Sequence, residues 1–333
     1  MNHPGADNPQ LIPYPGGSAT LDEDPFVPRH GEAVLVEPGI ARITADNASH
    51  FTFMGTNGYL IEAPDGRVVI IDPGPDIPSQ LKAWHQAIAG RSVAGIFITH
   101  THVDHSPALK SLRSLTNAPT FASGPHCLAR PLVEGETNLM QDAGDWVFRP
   151  DKSLFDGEVV DIAGLQIEAL FTPGHAANHM AFAIQGRGIV FSGDNVMAHT
   201  STIVGPPEGS MRDYLATLNV HAHRDDALFF PGHGGRITTP HQRVQELLEH
   251  RARREKALLG ELSAHPVRIE DLVQTIYRDI PPLMVPAAAL SVQAQLEHLV
   301  DQGRVISTGA IPGQATYQLK EPGTQTPEAP VST

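Results

Sequence analysis

In "GIFITHTHVDHSPALKSL", residues 95–112, His100, His102, Asp104 and His105 follow directly behind an apolar run. Imidazole nitrogens and carboxylate oxygens are the donor set of a divalent transition metal. Two imidazoles at i and i+2 in a turn can converge on one cation, and the aspartate and histidine just round the bend can hold a second. Three further apolar runs end in the same kind of residue: "ALFTPGH" on His175, "IVFSGD" on Asp194 and "ALFFPGH" on His233. Each of these ligand types follows a glycine, which lets the chain turn sharply at a strand end. In open α/β sheets the crevice at the carboxyl ends of the strands is where ligands bind. Together the four runs point to a metal site rather than to solvated loops.

The elements that must position these residues follow from the pattern around them. "AVLVEPGIARITA", "NGYLIEAP" and "RVVIIDPG" read as successive strands, with "APDG" as a hairpin turn. "SQLKAWHQAIAG" has helical periodicity and ends on Gly90 as a C-cap, while "VAGIFITH" reads as a buried strand. The helix after the histidine cluster is expected to start with Ser106 as N-cap and Pro107 at its first position. Strands and helices mixed in this order predict an α/β sandwich, sheets inside and helices outside, over residues 31–240. The long helix "PHQRVQELLEHRARREKALLGELSA", two shorter helices and a hairpin from "GRVIST" and "ATYQLK" outline a winged-helix-like domain over 241–320. Residues 1–30 read as an extended arm and 321–333 as a disordered tail.

Charge narrows the partners. The chain of 333 residues carries a formal net charge of -14, and residues 1–250 hold 28 acidic against 15 basic side chains. Such a body repels phosphate backbones, so a nucleic-acid partner is disfavoured and a small-molecule substrate is expected. The single cysteine, Cys127, excludes an internal disulfide and a thiolate cluster, and reads as a buried small apolar residue. No apolar stretch is long enough to span a bilayer and no signal peptide is visible, so a cytoplasmic location without membrane attachment is expected.

"THTHVDH", "TPGH", "SGD" and "PGH", in that order and with "IIDPG" upstream, resemble the metallo-β-lactamase superfamily. The resemblance implies an αβ/βα sandwich and two metal ions. His100, His102 and His175 would hold the first, Asp104, His105 and His233 the second, and Asp194 would bridge both. Zinc suits this donor set best, although iron or manganese also fits it. Two such ions close together lower the pKa of a bridging water and polarise a substrate oxygen, which is hydrolytic chemistry. Asp104 would orient the metal-bridging hydroxide. Asp72, the second catalytic carboxylate expected, would support a ligand from a strand end.

Other polar residues carry weaker expectations. His199, Thr200 and Ser201 come soon after Asp194 and could line a substrate pocket, with Tyr214 as a further polar contact. His179 either contacts the site or packs at a strand start. His221 and His223 repeat the His-x-His spacing without a glycine turn and read as a solvent-exposed helix end, and "HRARREK" reads as a solvated helix face.

The long helix and winged helix, with "TPGHAANHMAF", "GDNVM" and "STIVGPPEGSMRDYL", resemble the β-lactamase-like protein 2 group. Members of that group include single-strand-selective endoribonucleases and thioesterases of polyketide synthesis. Ser106-Pro107 departs from the two glycines common at this position, which puts a direct transfer of substrate in doubt. The leading expectation is a hydrolase of a small ester-like bond, thioester or lactone, and the alternative is a phosphodiesterase acting on single-stranded nucleic acid. A DNA-binding module with a vestigial hydrolase ranks lowest, since "LSVQAQLEHLV" has no groove-reading Arg or Lys. The winged helix is expected to wall one side of the pocket or to form a homodimer surface.

Overall fold

The computed structural model describes residues 26–262, 265–278 and 280–320. Two sheets form its centre. The first runs β1 (Ala33–Glu37), β2 (Ile40–Thr44), β3 (Asn57–Glu62), β4 (Val68–Ile71), β5 (Val93–Phe97), β6 (Thr120–Ala122) and β7 (Lys152–Ser153) in sequence order. It is antiparallel as far as β4 and parallel beyond. The second contains β8 (Val159–Ile162), β9 (Leu165–Phe171), β10 (Met180–Ile184), β11 (Ile189–Gly193) and β12 (Leu228–Pro231), with β12 beside β11 at one edge.

The alternation of strand side chains explains why both faces of the first sheet are covered. In β4, Val69 and Ile71 enter the core between the sheets, while Val68 and Ile70 face the outer helices. Between the sheets Phe97 meets Phe182 edge-on at 5.1 Å, and Tyr59 packs on Phe191 at 5.1 Å and on Phe230 at 5.3 Å. Outside the first sheet, Trp84 of α1 (Pro78–Ile88) and Leu112 of α2 (Leu109–Thr116) close a second core. Outside the second sheet, α3 (Met211–Ala222) and the first half of α4 (Pro240–Glu261) close a third. The result is the expected αβ/βα sandwich.

The far half of α4 belongs to another core. Leu258 and Leu262 pack with α5 (Ile269–Ile276), α6 (Val285–Asp301) and a small sheet of β13 (Val267–Arg268), β15 (Thr316–Leu319) and β14 (Val305–Thr308). This is the winged-helix arrangement expected from the sequence, and one long helix carries it on the sandwich. Among the described residues no helix is long and apolar enough to cross a membrane.

Several local expectations need correction. Helix α2 begins at Leu109 after Ala108, not at Ser106, because the Ser106 hydroxyl is spent on Asp145 Oδ2 at 2.7 Å. The turn before it pairs instead with Gly74, which donates to His105 O at 2.8 Å and accepts from Ala108 N at 2.9 Å. Helix α1 ends a residue early, with Ala89 taking the left-handed conformation before Gly90. Cys127 is exposed, on the loop after β6. His221 is buried against Phe229, whereas His223 is exposed as expected. The basic run of α4 divides, with Arg253 and Lys256 in solvent but Arg251 buried. Of the N-terminal arm, residues 26–30 lie within the described part, and Phe26 stacks under the Arg42 guanidinium at 4.3 Å. The tail 321–333 lies outside the described residues.

Candidate metal centre

The four strand ends deliver their side chains to one place. His100 and His102 follow β5, His175 the loop after β9, Asp194 the end of β11 and His233 the end of β12. His100 Nε2 and His175 Nε2 each lie 3.0 Å from His102 Nδ1. Beside this triple, Asp104 Oδ2 lies 3.3 Å from both His105 Nε2 and His233 Nε2. Asp194 stands between the two groups, Oδ1 at 3.4 Å from His105 Nε2 and Oδ2 at 3.2 Å from His233 Nε2 and 3.7 Å from His175 Nε2. Tetrahedral zinc with bonds of about 2.0–2.1 Å needs ligand atoms about 3.3 Å apart. The observed spacings bracket that value.

The far side of each ring is also arranged for a ligand role. A metal-binding imidazole donates its other N–H to an oxygen, which fixes its tautomer and orientation. His100 Nδ1 faces Thr99 Oγ1 at 3.1 Å, and that hydroxyl donates onward to Asp72 Oδ2 at 2.6 Å. His105 Nδ1 donates to Asp72 Oδ2 at 3.0 Å, His175 Nδ1 to Ile203 O at 2.7 Å and His233 Nδ1 to Gly55 O at 3.2 Å. Asp104 Oδ2 accepts from Thr56 Oγ1 at 2.8 Å. Inward, His105 Nε2 and Asp194 Oδ1 are buried without a hydrogen-bond partner. A cation between the groups would satisfy both, so the donor set fits a metal pair.

Electrostatics agree with that fit. Burial and the neighbouring His105 hold His100 well below the ordinary histidine range, and burial with His102 holds His175 at about 4, so both are neutral. Burial raises the Asp104 and Asp194 carboxyls, but His105 and His233 outweigh it and keep both ionised. Burial also disfavours charge on His233, yet Asp194 and Asp104 push it up to about 10. Neutral His100 and His175 and two ionised carboxylates are what a metal requires, while the same carboxylates raise His105 and His233 so that both hold protons that a cation there would displace.

Glycine makes the close approach feasible. A Cβ on Gly232 would stand 2.2 Å from Asp194 Oδ1 and 2.7 Å from His105 Cε1. The "PGH" motif therefore brings bare backbone against the ligand cluster.

The cluster opens on a cavity of about 360 Å³ lined by both metal-facing groups and by Phe51, Val103, Met140, Met197, Ile203 and Met284. His199, Thr200 and Ser201 line it as well. Met284 lies just before α6, so the winged-helix part forms one wall. Tyr214 and His179 do not line it. Tyr214 is fully buried, its hydroxyl donating to Asn195 O at 3.2 Å. His179 lies under the site, with Nε2 accepting the Asp194 backbone N–H at 3.1 Å and Nδ1 meeting Thr172 Oγ1 at 2.8 Å.

Sequence reasoning missed Glu208. This buried carboxylate places Oε2 3.4 Å from His102 Nε2 and 3.4 Å from His126 Nε2, while Oε1 accepts from Asn138 at 2.8 Å. Its position in "GPPEGS" carries no local sign of this, because both partner histidines are far away in the sequence.

Comparison with known proteins agrees with the architecture. Residues 51–233 match the model of the metallo-beta-lactamase superfamily, and residues 269–314 match that of the beta-lactamase associated winged helix domain. An atrochrysone carboxyl ACP thioesterase of Aspergillus chevalieri is 26% identical over 256 residues, 74% of this chain and 75% of the relative. A lactamase-like protein, adaB, of Aspergillus niger is 28% identical over 245 residues, 73% of this chain and 70% of that one. Among solved structures, a beta-lactamase domain protein from Burkholderia ambifaria superposes with a TM-score of 0.73 at 20% identity, over 89% of this chain and 96% of that one. A metallo-beta-lactamase family protein from Thermus thermophilus gives 0.69 at 24% identity, over 86% and 100%. The first match spans more than half of the chain, which therefore belongs to the metallo-β-lactamase superfamily of hydrolases.

Proposed function

We propose that the chain is a dinuclear metal hydrolase, with zinc the best-suited ion, that cleaves the thioester of a small acyl group. The observation that carries this reading is the pair of donor groups sharing Asp194 at the floor of a mostly apolar cavity. When bound, the two ions supply hydroxide at neutral pH and a Lewis acid for the carbonyl oxygen. His100, His102 and His175 would hold one ion, Asp104, His105 and His233 the other, and Asp194 both. Asp104, fixed by Thr56 and ionised, orients the attacking water and can accept its proton.

Two features favour a thioester. Burial and His233 push His199, at the cavity wall, down to about 4, so it is not a proton donor at neutral pH. A thiol of pKa about 8.5 leaves as the thiolate without such a donor, unlike an alkoxide or amine. In addition, no lysine or arginine is found among the described residues that line the cavity, which suits a neutral acyl chain better than a phosphodiester or a carboxylated β-lactam. The thioesterase names of the relatives support the same substrate class. The reading requires neither nucleic acid nor a second copy, and a chain with one cysteine suits the cytoplasm.

The test is a panel of acyl-CoA and acyl-carrier thioesters, lactones, β-lactams, bis(p-nitrophenyl) phosphate and single-stranded RNA, each with and without chelator. Chelator-sensitive thiol release is expected. Chelator-sensitive RNA cleavage with every thioester intact would overturn the reading.

A further inference from the structure

A second groove, of about 250 Å³, adjoins the cavity described above. The two share Thr200, Ser201, Thr202, Ile203 and Met284, so that one loop and one methionine form the divide between them. The groove lies between that loop and helices α4, α5 and α6, and it presents His250, Arg251 and Arg254. No carboxylate is found among its described lining residues, although the chain holds 37 acidic against 23 basic side chains.

The three basic residues differ in what they are free to do. Arg251 is buried and committed to the fold, donating to Thr202 O and stacking 5.0 Å from the Tyr214 ring. Arg254, almost one turn further along α4, is half-buried. Its Cζ lies 4.2 Å from the centre of the Tyr277 ring and it gives one N–H to Ile276 O at 3.0 Å, two contacts that hold the guanidinium in place. A guanidinium has five donors, so a fixed fork remains for a ligand. Burial, with Arg251, Arg254, Arg253 and Arg243 around it, pushes His250 down to about 4, so its ring is neutral at pH 7.

We infer that this groove is an anion subsite for the phosphate of a pantetheine arm, with Arg254 as its principal contact and His250 as a neutral hydrogen-bonding neighbour. The inference rests on the thioester reading and deepens it. A neutral acyl group would lie over the metal-facing residues, the arm would cross Met284, and its phosphate would meet the Arg251 and Arg254 wall of the adjoining groove. Coenzyme A and a phosphopantetheinylated carrier protein present the same chemistry. The subsite also gives a role to "HRARREK", part of which faces the groove rather than solvent.

Binding separates this inference from the hydrolytic one. Calorimetry on the full chain compares 4′-phosphopantetheine with pantetheine, which lacks the phosphate. The phosphate is expected to tighten binding about tenfold, and Arg254→Gln to erase that advantage while Arg254→Lys keeps part of it. His250→Glu, which sets a like charge beside the phosphate and a competing carboxylate one turn from Arg254, serves as the second variant should Arg254→Gln fail to fold. It should weaken 4′-phosphopantetheine more than pantetheine. In turnover, the ratio of kcat/KM for acetyl-CoA over S-acetyl-N-acetylcysteamine should fall about tenfold in either variant, mainly through KM. Parallel runs with coenzyme A and with a carrier protein tell the two sources apart, and an Arg254-dependent gain with either supports the subsite. A phosphate effect that survives both variants but vanishes with chelator would place the anion on the metals and overturn the inference. So would Arg254-dependent binding of single-stranded RNA with no preference for 4′-phosphopantetheine. If no thioester is hydrolysed yet the Arg254-dependent phosphate effect remains, the subsite stands and the thioesterase reading falls.

Discussion

Glu208 Oε2 stands 3.4 Å from His102 Nε2, on the side of the ring opposite Nδ1, the atom that meets His100 and His175. A carboxylate there would favour the His102 tautomer that leaves Nδ1 free for a metal. Burial raises the Glu208 carboxyl, but the facing His102 and His126 rings and the Asn138 amide bring it down to about 2, so it is ionised. Glu208→Ala should lower metal affinity by about 10–100-fold, the usual consequence of losing such a support. Competition with a coloured chelator measures this. Unaltered affinity would show that His102 is oriented by other means.

Gly232 offers a sharper steric test. Its missing side chain leaves room for Asp194 Oδ1, which an added Cβ would approach at 2.2 Å. Gly232→Ala should push the Asp194 carboxylate aside, reduce bound metal and lower turnover on the order of 100-fold, as about 1 Å of misplacement can. Metal content and kcat are the readouts, with circular dichroism confirming that the sandwich survives.

His221 gives a pH-dependent prediction away from the site. Both ring nitrogens are buried without hydrogen-bond partners, and the ring packs on Phe229. Burial, then Arg224, lowers its pKa from 6.5 to about 4. Below about pH 6.5 the unfolded chain takes up a proton that the folded chain refuses, so stability falls as pH drops towards 4 and is unaffected above 7. The full loss is about 3 kcal/mol at 1.36 kcal/mol per pKa unit. His221→Phe removes it. Denaturant midpoints of the two proteins should diverge between pH 7 and pH 4, the variant being more stable in acid, and parallel curves would contradict the assignment.

Most of the ligand set is legible in the sequence because each ligand follows a strand-like run, and a glycine precedes three of them. Those signals are local. Glu208 and Thr56 are not legible, since their roles depend on contacts with His102 and Asp104 that only the fold creates. Tyr214 and His221 were open to a better reading. With Met211, Thr217 and Leu218 they form the stripe that α3 buries, at the i, i+3, i+4 spacing of a helix's inner face. A polar residue on such a stripe belongs to the core before it belongs to a site. Arg251 follows the same rule, in line with Val244 and Leu247 on α4.

Two metal ions and a thioester substrate can be tested together in one titration. Protein stripped by chelator is given increasing zinc while thiol release from acetyl-CoA and from an acyl-carrier thioester is followed. Activity should be absent at the start and reach a plateau at two equivalents per chain, and Asp194→Ala should never reach it. Thiol release that is full without added metal, or a fully loaded protein that releases no thiol but cleaves single-stranded RNA, would contradict the account.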